Sequence, residues 1–393
     1  MVLSAHLQKE STMIFKLSSL ASALLLASPV VFSQSFDGVP GNFPADFRLR
    51  YETNDTDNLT KSATALTLRS RIGYETDNYS GLKALAEIED VRSIIDDYAP
   101  ESSGYDPVAD PVNTEINRAQ LSYTKEALTA VVGRQRIILD NARFIGNVGW
   151  RQNEQTYDAA LLQYKKDNIG VAYAYINQVN GIDFSETDIS GHALNLAFDQ
   201  LPVGKLVAYA YLVDIDDTDF YYDTYGASLS GQKPLNDIKV NYLAEIATQS
   251  AYKSGDKDAI YYHVEAGATL QGVNLTLGNE TLGSDDGEYG FQTPLATKHA
   301  FNGWADKFLN TPDNGLSDTY IRLSGSLDKL KALVMYHEYS SDRGSDDLGS
   351  ELNVQLLYPF SKNLSSGLKY ASYEAADSGS DTEKFWLWCG LSF

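Results

Sequence analysis

The sequence predicts an all-β chain: a transmembrane antiparallel β-barrel of about 18 strands in a bacterial outer membrane. Three observations predict it. The chain opens on a segment with the pattern of a cleaved secretory signal, short stretches of alternating polarity recur through the rest, and an aromatic residue closes the apolar face of the last stretch.

The opening segment comes first. Lys16 precedes an apolar run over 17–26, and Val31 and Ser33 place a cleavage site before Gln34. This divides the chain into a signal peptide, 1–33, and a barrel, 34–393, with Met13 a better start than Met1. The apolar run is short for a membrane anchor, and no later segment holds 18 consecutive apolar residues, so no transmembrane helix is expected.

Alternation is the second observation. Over 65–74, Leu66, Leu68, Ile72 and Tyr74 fall on one face and Thr67, Arg69, Arg71 and Gly73 on the other. Over 81–89, Leu82, Ala84, Ala86 and Ile88 oppose Lys83, Glu87 and Glu89. Over 237–247, Ile238, Val240, Tyr242, Ala244 and Ile246 oppose Lys239, Asn241 and Glu245. Period-two alternation over about ten residues is the signature of a lipid-facing strand. Clusters of Gly, Asn, Asp and Ser punctuate these stretches as turns. The Tyr pairs Tyr221-Tyr222 and Tyr261-Tyr262 are expected in the interfacial girdles.

The C-terminus is the third. Phe385, Leu387, Cys389, Leu391 and Phe393 occupy alternate positions. A terminal aromatic on an apolar-out strand is the mark read by the barrel-assembly machinery, so that machinery is an expected partner through Phe393. Outer-membrane lipids and lipopolysaccharide are expected partners of the wall.

Composition excludes several classes. A net charge of -22 leaves no basic face for nucleic acid. A single Cys permits neither an internal disulfide nor a CxxC site. No GxSxG elbow or HExxH helix is present, so no catalytic residue, metal site or cofactor is expected.

Candidate site residues follow from parity. Arg on the lipid face costs about 2–4 kcal/mol at the midplane, and Arg at i and i+2 share a face. Arg48/Arg50, Arg69/Arg71 and Arg134/Arg136 are therefore expected to line the lumen, the last pair at a strand end near the mouth or constriction. Glu87 and Glu89 share the lumen face of the strand after Arg69 and Arg71. Arginines facing carboxylates either set a transverse field across a pore or brace its wall.

Two segments interrupt the alternation. The first, 133–158, carries Asp140, Asn141, Arg143, Arg151, Asn153 and Glu154, and its Phe144 and Trp150 either stack on a solute or anchor the loop. The second, 283–316, gathers Lys298, His299, Asn302, Trp304, Asp306 and Lys307. Amides with guanidinium groups suit hydroxyl and carboxylate recognition. Loops this long without strand pattern are usually functional, so both are candidate constriction or solute-binding loops.

The runs GRQRIILDNARFIGNVGWRQNEQTYDA from Gly133 and TPLATKHAFNGWADKFLNTPDNGLSD from Thr293 resemble the signatures of the alginate-export family of outer-membrane porins. The resemblance extends from Phe47 to Phe393. It implies an 18-stranded monomeric barrel and, in the family's alginate exporter, a basic constricted lumen. The leading expectation is a porin for small hydrophilic solutes, anionic or saccharide. The alternatives are an exporter of alginate or another polysaccharide, a non-conducting structural or adhesive barrel, and an outer-membrane lipid hydrolase. The acidic loop at Asp214, Asp216, Asp217 and Asp219 would repel a polyanion at the mouth.

Overall fold

Alternating strands can satisfy their backbone groups in a membrane only by closing on themselves, and this chain does so. In the computed structural model, which describes residues 40–57, 60–252, 255–376 and 379–393, eighteen strands form one antiparallel sheet. The signal-peptide segment 1–33 lies outside the described residues. Strand β1 (Ala45–Thr56) pairs on one side with β2 (Ala63–Glu75) and on the other with the last strand, Thr382–Ser392, which closes the sheet. β3 (Leu82–Asp97), β4 (Asn113–Lys125), β5 (Leu128–Gln135) and β6 (Thr156–Lys166) follow around the wall.

The two rims differ. At one, most connections have two residues. Gln271 and Gly272, with φ of 50° and 85°, turn Lys257–Leu270 into Val273–Leu282, as a tight hairpin requires. At the other rim, loops 98–112, 136–155 and 283–315 are long. In outer-membrane barrels the short turns face the periplasm and the long loops face outward.

The outer face is apolar. Ile72, Ile88, Ile246 and Leu277 are each more than half exposed, with many more of their kind around the wall. A belt of this size exposed to water would aggregate; in a bilayer it is the wall's solvent-facing surface. Tyr123, Tyr164, Phe198, Tyr358 and Phe360 ring the belt near the short turns as one aromatic girdle. The expected girdle pair Tyr261-Tyr262 is split instead. Adjacent strand residues face opposite ways, so Tyr262 faces out while Tyr261 is fully buried inside. Tyr222, too, packs against the inner apolar cluster.

The interior has two characters. Strands Ile169–Asn180 and Gly204–Ile215 turn Ala174, Ile176, Val207, Tyr209, Tyr211 and Val213 inward, and the long loops cover them. The wall of β1 to β4 turns Arg50, Glu52, Arg69, Arg71, Glu87 and Glu89 inward.

Candidate functional site at the inward-folded loops

Loop 136–155 leaves the wall where β5 ends at Gln135. The Gln135 amide donates to the Ala159 carbonyl at 2.9 Å and to Gly133 at 3.2 Å, holding the backbone at the point of departure. Asp140, Ala142 and Val148 then take left-handed φ values of 51°, 65° and 48°, outside the range of a regular strand. The chain folds into the barrel and meets loop 283–315. Gly146 N–H donates to the Leu295 carbonyl at 2.9 Å, Thr297 N–H to Ala142 at 3.0 Å, and Val148 N–H to Thr297 Oγ1 at 3.1 Å. The two segments singled out in the sequence are thus one interlocked body.

Loop 283–315 is seated on wall carboxylates. Glu351 Oε1 accepts from Trp304 N–H at 2.5 Å and Ala305 N–H at 2.8 Å. This approach requires Gly303: a Cβ there would lie 2.2 Å from Glu351 Oε2 and 2.3 Å from the Tyr339 hydroxyl. Asn302 Nδ2 donates to Glu280 Oε2 at 2.8 Å and to Asp318 Oδ2 at 3.2 Å.

Most of the expected arginines lie within carboxylate networks. Arg143 donates to Glu280 at 2.7 Å and to Asn302 Oδ1 at 3.1 Å, with Phe301 beneath its guanidinium at 4.7 Å. Arg151 bridges Glu52, at 2.9 Å, and Asp306, at 3.2 Å. Asp306 also receives His299 at 2.7 Å and Lys384 at 3.1 Å. Arg50 pairs with Asp110 and Glu52, Arg69 with Asp46, and Arg71 with Glu89 and Glu154. Glu87 holds Arg118 through both oxygens, at 2.9 and 2.6 Å.

The third arginine pair departs from the expectation. Arg134 lies opposite Ala119 and Asp158, on the face of Val132, which is 54% exposed to the outside. It therefore points away from the lumen and pairs with Asp158 at 2.8 Å near the long-loop rim. Arg136 lies past the strand end and turns inward to Glu154 at 2.6 Å. The i, i+2 rule holds only while a strand continues.

Other predicted residues take structural places. Asp140 accepts from Asn195 at 2.6 Å and Lys205 at 3.2 Å, Asn141 caps Arg143 N–H at 3.1 Å, and Asn153 donates to Gly181 at 3.0 Å. Phe144 packs among Tyr209, Tyr261 and Phe291 at ring distances of 5.1, 5.4 and 6.2 Å. Trp150 stacks on His299 at 4.9 Å. Both aromatics anchor the loop.

Against this compensated background, four cations stand out. Among the described residues, Arg48, Lys298, Lys307 and Lys369 have no carboxylate within ion-pair distance and are held by neutral groups. Arg48 donates to Gln152 Oε1 at 2.8 Å and Gly149 O at 3.1 Å, and Lys298 to Asn310 at 3.0 Å. Lys307 donates to Ser380 O and Thr382 Oγ1, each at 3.1 Å. Lys369 sits between Trp150 and Trp304, 4.0 and 3.9 Å from the ring centres, and meets His299 Nε2 at 3.1 Å.

In the loops, burial and the nearby Arg143 lower Lys298 to about 8. Burial lowers His299 to about 3 despite Asp306, so its ring is neutral near pH 7. Burial alone would raise Glu154, but Arg71 and Arg136 draw it down to about 2.

Lys369, Lys384 and Trp386 were missed in the sequence. The parity that sends Phe385 and Leu387 outward sends Lys384 and Trp386 inward, so that signal was present. Arg118 carried the same signal, since it alternates with Gln120 and Ser122 against Ala119, Leu121 and Tyr123, and the bulge lies before it, between Ile116 and Arg118.

A closed sheet of eighteen strands, an apolar outer belt and long loops folded into the interior define an outer-membrane β-barrel protein of the porin class. Within that class, residues 39–178 match the model of the alginate export family, a stretch that takes in the first interlocking loop. No curated protein matches the chain in sequence. Solved structures do match in fold. Acinetobacter baumannii OccAB4 aligns at 14% identity and a TM-score of 0.72, over 90% of this chain and 98% of its own. Pseudomonas aeruginosa OpdK, solved with vanillate, aligns at 14% and 0.68 over 89% and 98%. Pseudomonas aeruginosa OccK9 (OpdG) aligns at 13% and 0.69 over 90% and 98%. At such identities the likeness is one of fold.

Proposed function

We propose that this protein is a non-enzymatic outer-membrane channel for small hydrophilic solutes, and that it favours anions. The observation that carries this reading is the set Arg48, Lys298, Lys307 and Lys369. An ion-paired arginine presents little net field to a solute, whereas a cation held by carbonyls, amides and rings has no neighbouring carboxylate to cancel its field. These four lie on or beside the two inward loops. OpdK, crystallised with vanillate, and the alginate-export match are consistent with a transport role for the fold.

The test is a reversal potential across planar bilayers in a KCl gradient. Anion preference is expected, and Arg48→Gln with Lys298→Gln and Lys307→Gln should bring the permeability ratio toward one. Cation preference in the unmodified protein would overturn the reading. A sealed barrel would favour the structural or adhesive role. Block by acidic oligosaccharides but not by small anions would favour polysaccharide export.

A further inference from the structure

Strand Leu364–Glu374 turns one lysine, Lys369, into the place where the two inward loops meet. Its ammonium lies 4.0 Å from the ring centre of Trp150, in loop 136–155, and 3.9 Å from that of Trp304, in loop 283–315. Of the four cations without a carboxylate at ion-pair distance, Lys369 is the wall residue that touches both loops.

A charge buried without a counter-ion is costly, so its neighbours decide whether it holds. Two indole faces supply a cation–π attraction, which is strongest where water is excluded. His299, a neutral ring, accepts from the ammonium through Nε2 at 3.1 Å and donates through Nδ1 to Asp306 at 2.7 Å. The other charged groups that face Lys369 are Asp306 of loop 283–315, Arg151 of loop 136–155, Arg50 of β1 and Glu351 of strand Asp347–Pro359. Arg151 and Lys384 already hold Asp306, at 3.2 and 3.1 Å. Glu351 already accepts the N–H groups of Trp304 and Ala305.

The tryptophans are the second observation. The chain has four, and all of them stand around this lysine. Trp386 is its cross-strand partner. Trp150 meets the rings of Trp386 and Trp388 edge-on, at 5.7 and 5.2 Å. The indole N–H of Trp150 has no hydrogen-bond partner, so ring contacts hold its side chain. Two cations lie over that ring, Lys369 and, at 5.2 Å, Arg50. A guanidinium stays charged at any pH a protein survives, so of the two only Lys369 can lose its proton.

We propose that Lys369 is a proton-dependent latch, which as an ammonium holds both inward loops to the wall and on losing its proton frees them to move. The neutral amine keeps a hydrogen bond to His299 and loses the attraction to both rings. The latch concerns the position of the loops and is independent of which ions the channel prefers.

The experiment sets the parent beside Lys369→Arg, charged at every pH, and Lys369→Met, charged at none. Lys298→Gln is present in all three, so that the loop lysine does not titrate. Single-channel recording in planar bilayers reads the dwell time of the main conductance level. Tryptophan emission of the barrel in micelles reads the wetting of the four rings. From pH 6 to pH 10 the parent should lose about tenfold in dwell time, the order of one desolvated cation–ring contact, and its emission should shift to the red. Lys369→Arg should show neither change, and Lys369→Met should be loosened already at pH 6. A step that persists in Lys369→Arg, or a Lys369→Met barrel that matches the parent at pH 6, overturns the latch. If the barrel does not conduct, emission decides by the same criteria. If Lys369→Met does not insert, the arginine variant decides alone.

Discussion

Loop 136–155 is fastened at two places by opposite physics. At Phe144 the fastening is a ring cluster with Tyr209, Tyr261 and Phe291 on an apolar stretch of wall. At Trp150 and Arg151 it is a charge network of Glu52, Asp306, His299 and Lys384, with the Trp150 ring stacked on His299 and the Lys369 ammonium over its face. The first depends on area removed from water and is indifferent to pH and salt. The second depends on every partner being present, because a buried charge that loses its counter-ion is left uncompensated. The apolar anchor sets that the loop is inside the barrel. The ionic anchor sets where its cations lie.

Removing one member of the network should have the largest effect. Arg151→Met removes the cation that Glu52 and Asp306 share and is expected to cost about 3–5 kcal/mol. The loop should loosen and single-channel conductance should rise. Urea unfolding of the barrel refolded into vesicles checks the first effect and bilayer recording the second. Glu52→Gln added to Arg151→Met should recover part of the loss; no recovery would mean that packing dominates here as well.

Phe144→Ala comes next, at about 2–3 kcal/mol, because the ring is only partly buried. Its cost should be the same at pH 5 and pH 9 and in low or high salt. A salt-dependent cost would erase the distinction between the two anchors.

Acid sharpens the comparison further. Glu154, ordinarily near 4.5, is held at about 2 by Arg71 and Arg136. The folded barrel therefore binds fewer protons than the unfolded chain between those values. Its contribution is complete above about pH 4.5 and is lost as pH falls toward 2. Unfolding midpoints measured from pH 6 to pH 3 should drop for the parent protein and drop less for Glu154→Gln.

The smallest effect is on selectivity. Lys298 loses its proton near pH 8 rather than near 10.5. Anion preference should weaken between pH 7 and pH 9, and Lys298→Gln should remove that step while leaving a lower constant preference. Reversal potentials across the pH series read both.

Much of the molecule was legible along the chain because a barrel strand reports its environment every second residue. The parity of Leu66, Leu68 and Ile72 against Arg69 and Arg71, and of Ile88 against Glu87 and Glu89, is the parity of the wall. Where a strand ended or bulged, the rule lost its basis. Parity places Arg134 on the face of Arg136, yet β5 stops between them and only Arg136 turns inward. In β4 a bulge at Asn117 shifts the inward face by one, so Ile116 faces out and Arg118 faces in. The pairing of acids with bases was not legible, since Arg143 meets Glu280 and Arg151 meets Glu52 across more than ninety residues of chain.

By itself the sequence determined the barrel, its strand number, the belt that faces lipid and the two segments that break the pattern. Each of these is written locally, in alternation, turn residues and the lack of any apolar run long enough for a helix. Only the tertiary structure decided that the two segments interlock, that most of the expected arginines meet carboxylates, and that Arg48, Lys298, Lys307 and Lys369 have none within ion-pair distance. Charge compensation depends on which carboxylate lies within a few ångströms. In a closed sheet that distance is set by register and loop path, not by position along the chain.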